Sequence, residues 1–326
     1  MKLNMLIAGA ALVFAPTHSG VAHAQAAYPT KTIRLIVPFA PGGPNDILGR
    51  MVGQKLTEQW GQPVVVENRG GAGGTVGLAH AARQPGDGYT LSMGGSSNMA
   101  VAVSLYRKLA YDPLKDFVAI ASIAHVPYAL GVNPVIPVKG VKELIAIARE
   151  KPRYLTYASS GTGSMSALSA DLFKAMSRTD IIHVPYKGTA PALTEVVSGQ
   201  VDMMFADLAL IKRYAQAKRL RIIAVTGSKR APAAPEVPTI TETGLTGYVI
   251  EPWFGVVAPS GVPAEIVSRL SAAIVASLKS PDVVQRLDNL GYEPIGARAE
   301  QFAATIRNDI AKFAKIVKTA GIAGQL

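Results

Sequence analysis

The sequence predicts an α/β protein of two lobes, each a mainly parallel sheet flanked by helices, with a ligand cleft between them. Three observations lead there. Strand-like and helix-like patterns alternate from residue 31 onward. Two strand-like segments, about 121–133 and 247–258, interrupt the alternation and divide it into blocks. Each block contains a strand that runs into a glycine-bearing turn and then a helix. A helix between two strands returns the chain to the same end of the sheet, so neighbouring strands run parallel.

The elements follow in order. "KTIRLIVPF" is strand-like, and "DILGRMVGQKLTEQW" has apolar residues at helical spacing. "PVVVEN" is a short strand. "GLAHAARQ" is a helix that the turn "PGDG" ends, and "YTLSMG" is again a strand. The second block opens near "ASIAHVPYALGVNP". It continues as helix "VKELIAIARE", strand "YLTYAS", helix "SMSALSADLFKAMS", strand "IIHVPY", helix "PALTEVVSG", strand "VDMMFAD", helix "LALIKRYAQA" and strand "RIIAVT". A strand near "YVIEPWFGVVAP" leads back, and helices at 264–278, 281–290 and 299–320 finish the chain. The expected division is residues 28–125 plus 252–326 for a discontinuous first lobe and 126–251 for the second. "HVPY" occurs at His125–Tyr128 and again at His183–Tyr186, without surrounding similarity that would make it a repeat.

Composition supports a folded chain. Of 326 residues 49% are hydrophobic and 17% charged, enough for sizeable cores and against disorder. The first residues read differently. Lys2 precedes an apolar run of about twelve residues, Leu3 to Phe14, and "AHA" places Ala22 and Ala24 at the small positions of a cleavage site. Residues 1–24 are expected to be a signal peptide, with cleavage after Ala26 as the rival site and an uncleaved anchor as the alternative. No later run is long enough to cross a bilayer as a helix. An exported, periplasmic protein is expected, and the absence of Cys leaves it without disulfides or thiolate chemistry.

The formal net charge is +11, from 33 basic and 22 acidic residues. The densest basic clusters, "QAKRLR" and "GSKR", are not interleaved with aromatic residues, so nucleic-acid binding is not expected. A basic surface is either ordinary solvation or a means of steering a small anion.

The turn "FAPGGPND" carries the functional argument. Ligands of open α/β sheets sit beyond the carboxyl ends of strands. Gly42 and Gly43 let a ligand approach the main chain, and Pro44 fits the first helical position. The free N–H groups and the helix dipole then favour an anion. A plain turn, with Asn45 and Asp46 capping the helix, is the alternative. "YLTYASSGTGSMSAL" repeats the arrangement in the second block, with hydroxyls on Thr162 and Ser164. Charge-assisted hydrogen bonds contribute roughly 1.5–3 kcal/mol each. Three or four would hold a carboxylate at about 0.1–10 μM without a salt bridge.

Other chemistries fare worse. "SGTGSMS" has Ser166 where a dinucleotide fingerprint needs its third glycine, and "GGAGGTVG" lacks the Lys-Ser/Thr of a phosphate loop and reads as a flexible start to a helix. No G-x-S-x-G elbow or H-E-x-x-H is present, so neither a hydrolase nor a metal site is indicated. His80, His125 and His183 read as structural, and no catalytic residue, metal or cofactor is expected.

These segments resemble the Bug family of periplasmic solute-binding proteins, the receptors of tripartite tricarboxylate transporters. The likeness runs through "YPTKTIRLIVPFAPGGPNDILGR", "GQPVVVENRGGAGG", "DGYTLSMG", "YDPLKDF", "YASSGTGS", "HVPYKGTAPAL", "LRIIAVT" and "PWFGVVAPSGVPAEIV". It implies a type II-like periplasmic-binding-protein fold that closes on a hinge, no catalysis, and a small carboxylate held between the two turns, often through waters. The residues so implicated are Ala40, Pro41, Gly42 and Gly43 in one turn and Ser160, Gly161, Thr162, Gly163 and Ser164 in the other. Ser97, Asn98, Tyr186 and Asp207 would line the cleft. The implied partners are the membrane subunits of a transporter, and the receptor itself is expected to be a monomer. The chain departs from the family at Ser97–Ala100, at Ala206-Asp207 and at Glu251-Pro252, so Asp207 or Glu251 is placed to meet a cationic or hydroxyl-bearing end of the ligand, with a solvent-facing Glu251 as the alternative. A sensor subunit and a secreted hydrolase remain the competing functions.

Overall fold

A computed structural model of the chain describes Met1 and residues 28–326. The expected signal peptide lies outside the described residues. The first unit opens with β1 (Ile33–Val37), α1 (Pro44–Trp60), β2 (Val64–Asn68), α2 (Thr75–Ala81) and β3 (Thr90–Gly95). A π-helical turn, Ser97–Val101, then runs into α3 (Ala102–Leu105) and β4 (Phe117–His125). The second unit holds β5 (Tyr128–Val132), α4 (Val141–Glu150), β6 (Thr156–Ser159), α5 (Met165–Ser177), β7 (Ile182–Pro185), α6 (Thr189–Ser198), β8 (Met203–Asp207), α7 (Leu208–Gln216) and β9 (Arg221–Val225). The chain then returns through β10 (Trp253–Pro259), α8 (Ala264–Ser277), α9 (Pro281–Leu290), β11 (Glu293–Pro294) and α10 (Ala299–Thr319).

The strands form two sheets of the same plan. One has the order β11-β4-β10-β3-β1-β2, the other β7-β6-β8-β5-β9. Each is built around a parallel trio, β2-β1-β3 and β7-β6-β8. Their pairings are parallel, as the crossover helices require. The expectation of mainly parallel sheets is met there and needs correcting beyond it. β10 lies antiparallel to β3 and β4, β5 antiparallel to β8 and β9, and β11 antiparallel to β4. The cause is the crossing between sheets. β4 ends where the chain passes to the other sheet through Val126-Pro127, and β10 begins where it comes back. A strand leaving that junction must oppose one that arrives.

The sequence missed the helical stretch after β3, because Gly-Gly-Ser-Ser reads as loop. It also merged β4 and β5, whose two-residue link leaves no polar break. Packing is tight where the crossing strands meet the helices. Gly255 in β10 is such a point: a Cβ would lie 2.6 Å from both Ala121 O and Phe302 Cε1. Overpacking of this kind costs roughly 1–3 kcal/mol. Gly255→Ala is therefore expected to lower the denaturant midpoint without changing the slope, and an unaltered midpoint would show that β10 and α10 yield freely.

Candidate ligand-binding site

β1 and β6 are the middle strands of their trios, and both deliver their carboxyl ends to the gap between the sheets. After β1 the chain turns at Gly42, whose φ of +89° favours glycine. The turn is held from behind. The Gly42 N–H donates to Asp46 Oδ2 at 3.0 Å, Asn68 Nδ2 donates to Asp46 Oδ1 at 2.9 Å, and Arg50 pairs with the same carboxylate at 3.0 Å. Burial alone raises the Asp46 carboxyl, but the hydrogen bonds from Arg50, Asn68 and Gly42 outweigh it and hold it below the usual range. Asp46 is thus spent on shaping the turn.

A narrow cavity, with a volume of about 10 Å³ open to the centre of a water-sized sphere, lies in front of this turn. Gly43, Pro44 and Asn45 line it from α1, Ser96 and Ser97 from the π-helical turn, and Phe39 and Phe254 from the same unit. Tyr128, Ser160, Met165 and Thr189 line it from the other unit. No charged side chain is among them. Two helix starts face each other across it. Gly43 caps α1 and Gly188 caps α6, and neither helix is capped by a side chain. α1 opens on Pro44, which has no N–H, so it offers the Asn45 N–H and its dipole; α6 offers the N–H groups of Thr189 and Ala190 and its own dipole. Gly43 is close to Thr189: a Cβ on it would meet Thr189 Oγ1 at 3.3 Å.

The two units touch beside this cavity. Ala40 N–H donates to Lys187 O at 3.2 Å. On the other side the glycine run 70–74 meets the second turn. Gly73 has φ +61°, and a Cβ there would fall 2.7 Å from Thr162 O and 2.6 Å from Gly163 C. Tyr106 OH adds hydrogen bonds to Ala72 O at 2.9 Å and Thr162 O at 3.4 Å. The run read from sequence as a flexible start to a helix is where two backbones come together.

The structure distributes the residues named from sequence among three places. Gly43, Ser97 and Ser160 meet at the cavity. Ala40, Gly42, Gly161, Thr162 and Gly163 form the contact between units, with Pro41 exposed at its edge. Ser164 caps α5, accepting from Ala167 N at 3.2 Å. Asn98 is fully buried, and its Oδ1 accepts from Gly95 N at 2.9 Å. Tyr186 is half-buried and does not line the cavity.

Asp207 is fully buried, accepting from Ala209 N at 2.8 Å and from the hydroxyl of Tyr292. Glu251 accepts from Ser228 N and Oγ at 2.9 and 2.7 Å, on a second hollow beside the crossings. Sequence reading passed over Asn45, Tyr128 and Thr189, which line the cavity. Thr189 carried a usable signal, since it opens the helix that follows a strand and a glycine.

The titration of His183 is settled by its surroundings. Burial, and secondarily Lys174, pushes the His183 imidazole down to about 4. It is neutral, and its Nε2 lies 2.6 Å from Ser159 Oγ. Ser159 is fully buried, while His183 is half-buried and lines another hollow. Among the described residues no cluster of metal-ligating side chains is found, and no helix is long and apolar enough to cross a membrane.

Two α/β units joined by crossing strands, with a cavity at the strand ends between them, define a solute-binding protein of the periplasmic-binding-protein architecture. The chain belongs to the tripartite tricarboxylate transporter family of receptors, whose family model matches residues 48–322. It is 33% identical over 322 residues to Protein BugT of Bordetella pertussis, covering 98% of this chain and 99% of that one. A solved structure described as R. palustris Rpa4515 with adipate superposes with a TM-score of 0.87 at 40% identity, covering 91% of this chain and 99% of the other. MatC of Rhodopseudomonas palustris with bound malate gives a TM-score of 0.85 at 34% identity, covering 89% and 100%. The family is one of receptors rather than enzymes.

Asp207 yields a test of the fold around the crossings. Burial pushes its carboxyl up to about 7, against the lowering effect of its bonds from Tyr292, Ala209 and Leu210. The folded state then holds a proton that the unfolded state has released, so stability falls as pH rises from about 4 toward 7. Asp207→Asn keeps an acceptor for Ala209, presents a donor to the Tyr292 hydroxyl oxygen in place of the second acceptor, and does not titrate. Its unfolding free energy is expected to be flatter across this window, by up to a few kcal/mol, and an identical slope in both proteins would refute the assignment.

Proposed function

We propose that this receptor is exported, loses residues 1–24, and captures a small carboxylate in the cavity between its units. It then presents that ligand, as a monomer, to the membrane subunits of a tripartite transporter. The lobes are residues 28–125 with 252–326, and 126–251. The crossings at Val126-Pro127 and before β10, and the assignment of strands to two sheets, support that division. Family membership and the neighbours bound to adipate and malate support the ligand class.

One observation carries the reading: two helix starts without side-chain caps, from opposite units, face a cavity that has no charged wall. An anion there gains hydrogen bonds from main-chain N–H groups and both dipoles without competing for a cation. The hydroxyls of Ser97, Thr189 and Tyr128 add donors. Because the donors belong to different units, the ligand makes its full set of contacts only when the units are together. Its differential affinity then favours closure.

A panel of mono- and dicarboxylates is expected to raise the melting temperature for at least one member. Stabilisation by none of them, with turnover of an ester or amide instead, would favour a hydrolase. Gly43→Val tests the site itself. Gly43 has φ −92°, open to any residue, so the variant is expected to fold. Its side chain would press on Thr189 and part the units, lowering carboxylate affinity by roughly a hundredfold or more. Unchanged affinity by calorimetry would remove this turn from the site.

A further inference from the structure

We propose that Asn45 makes the cleft select 2-hydroxy acids over the same acids without the hydroxyl. This rests on the carboxylate reading above and narrows it. Asn45 is 5% exposed, lines the cavity, and its Oδ1 has no hydrogen-bond partner. A buried acceptor left unpaired is costly, so native structures rarely keep one that nothing will fill.

The other polar side chains on the wall are hydroxyls. Ser96 Oγ is engaged with Trp253 N at 3.0 Å, and Ser160 Oγ with Ser166 Oγ at 3.0 Å. Those of Ser97, Thr189 and Tyr128 turn to donate to whatever acceptor arrives. An ionised carboxylate consists of acceptors only. It satisfies hydroxyls, main-chain N–H groups and the amino end of an amide, but never the carbonyl end. Asn45 is the wall side chain with such an obligatory acceptor, and whichever way its amide lies, one end must receive a proton donor.

Position then fixes where on the ligand that donor sits. Asn45 is the second residue of α1, next to Gly43 and Pro44. A carboxylate held at the α1 start lies beside the amide. A hydroxyl on the adjacent carbon is within reach, whereas one at the far end of a longer acid is not. Asp46 cannot take this part, since Arg50, Asn68 and Gly42 occupy its carboxylate. Asn98 carries an unpartnered Nδ2 but does not line the cavity.

The test uses matched pairs that differ by one hydroxyl, lactate with propionate and malate with succinate, titrated by calorimetry into the whole receptor. The hydroxy member of a binding pair is expected to bind roughly ten- to a hundredfold tighter. In Asn45→Leu, close in size and without a hydrogen-bonding group, that ratio is expected to fall toward unity while the melting temperature of the free protein is kept or raised. Asn45→Ala serves as a second variant with the same expectation for the ratio. Equal affinities within a pair for the unaltered protein would overturn the inference. So would a ratio that survives in both variants, or adipate binding as tightly as the best hydroxy acid. In each of those cases carboxylate binding itself stands. Failure of every acid to bind would instead defeat the carboxylate reading, and this inference with it.

Discussion

Everything in this molecule is arranged around main-chain N–H groups that secondary structure leaves unpaired. A helix start has donors that nothing inside the helix can satisfy. α1 and α6 reach the cavity with glycine caps, so no side chain of their own takes those donors. The parallel trio of each sheet is what points them there: helices between parallel strands begin at the strands' carboxyl ends, and two sheets built to one plan present the same end to one gap. The binding surface is therefore a property of topology first and of side chains second.

Keeping that surface open to a ligand requires the backbones to come close beside it. Gly73 against Thr162–Gly163, and Ala40 against Lys187, bring main chain to main chain with almost nothing between. Such contacts bury little apolar area and are easily exchanged for water, which suits surfaces that part and rejoin. At the crossings the chemistry is different. The Asp207 carboxyl and the Tyr292 hydroxyl share a hydrogen bond inside a buried junction, with the Tyr128 side of β5 packed beside them. A buried polar pair of this kind is poor at adding stability and better at allowing one arrangement only.

Most of this order was legible in the sequence, and the limits are physical. Alternating periodicity gave the strands and helices from "KTIRLIVPF" to "RIIAVT", and the glycine turns after β1 and β6 were readable because a tight turn at a strand end has few other uses. The direction of β5 and β10 was not readable, because periodicity carries no information about which end of a strand faces a junction. Side-chain roles were harder still. Asp207 was implicated only through the family resemblance, and the structure buries its carboxyl against Ala209 N and the Tyr292 hydroxyl. Asn45 entered the sequence reading only as a helix cap in the plain-turn alternative, whereas the structure leaves its Oδ1 without a partner. The Ser97–Val101 stretch was given no element from sequence, and forms a π-helical turn.

The protein's charge and its cavity pull in different directions, and the division has a physical logic. The chain carries a formal net charge of +11, yet none of that charge lines the cavity. A distributed positive surface raises the local concentration of any anion and speeds encounter, but it cannot choose among anions. A cation inside the cleft would choose poorly too, since sulfate, phosphate and every carboxylate would answer to it. It would also hold them with a desolvated pair that is slow to release. An array of neutral donors is more exacting: it rewards an oxyanion only where its oxygens meet the N–H groups, and it penalises any wall group left unpaired. A cleft of amides and hydroxyls would leave the choice among anions to geometry rather than to charge.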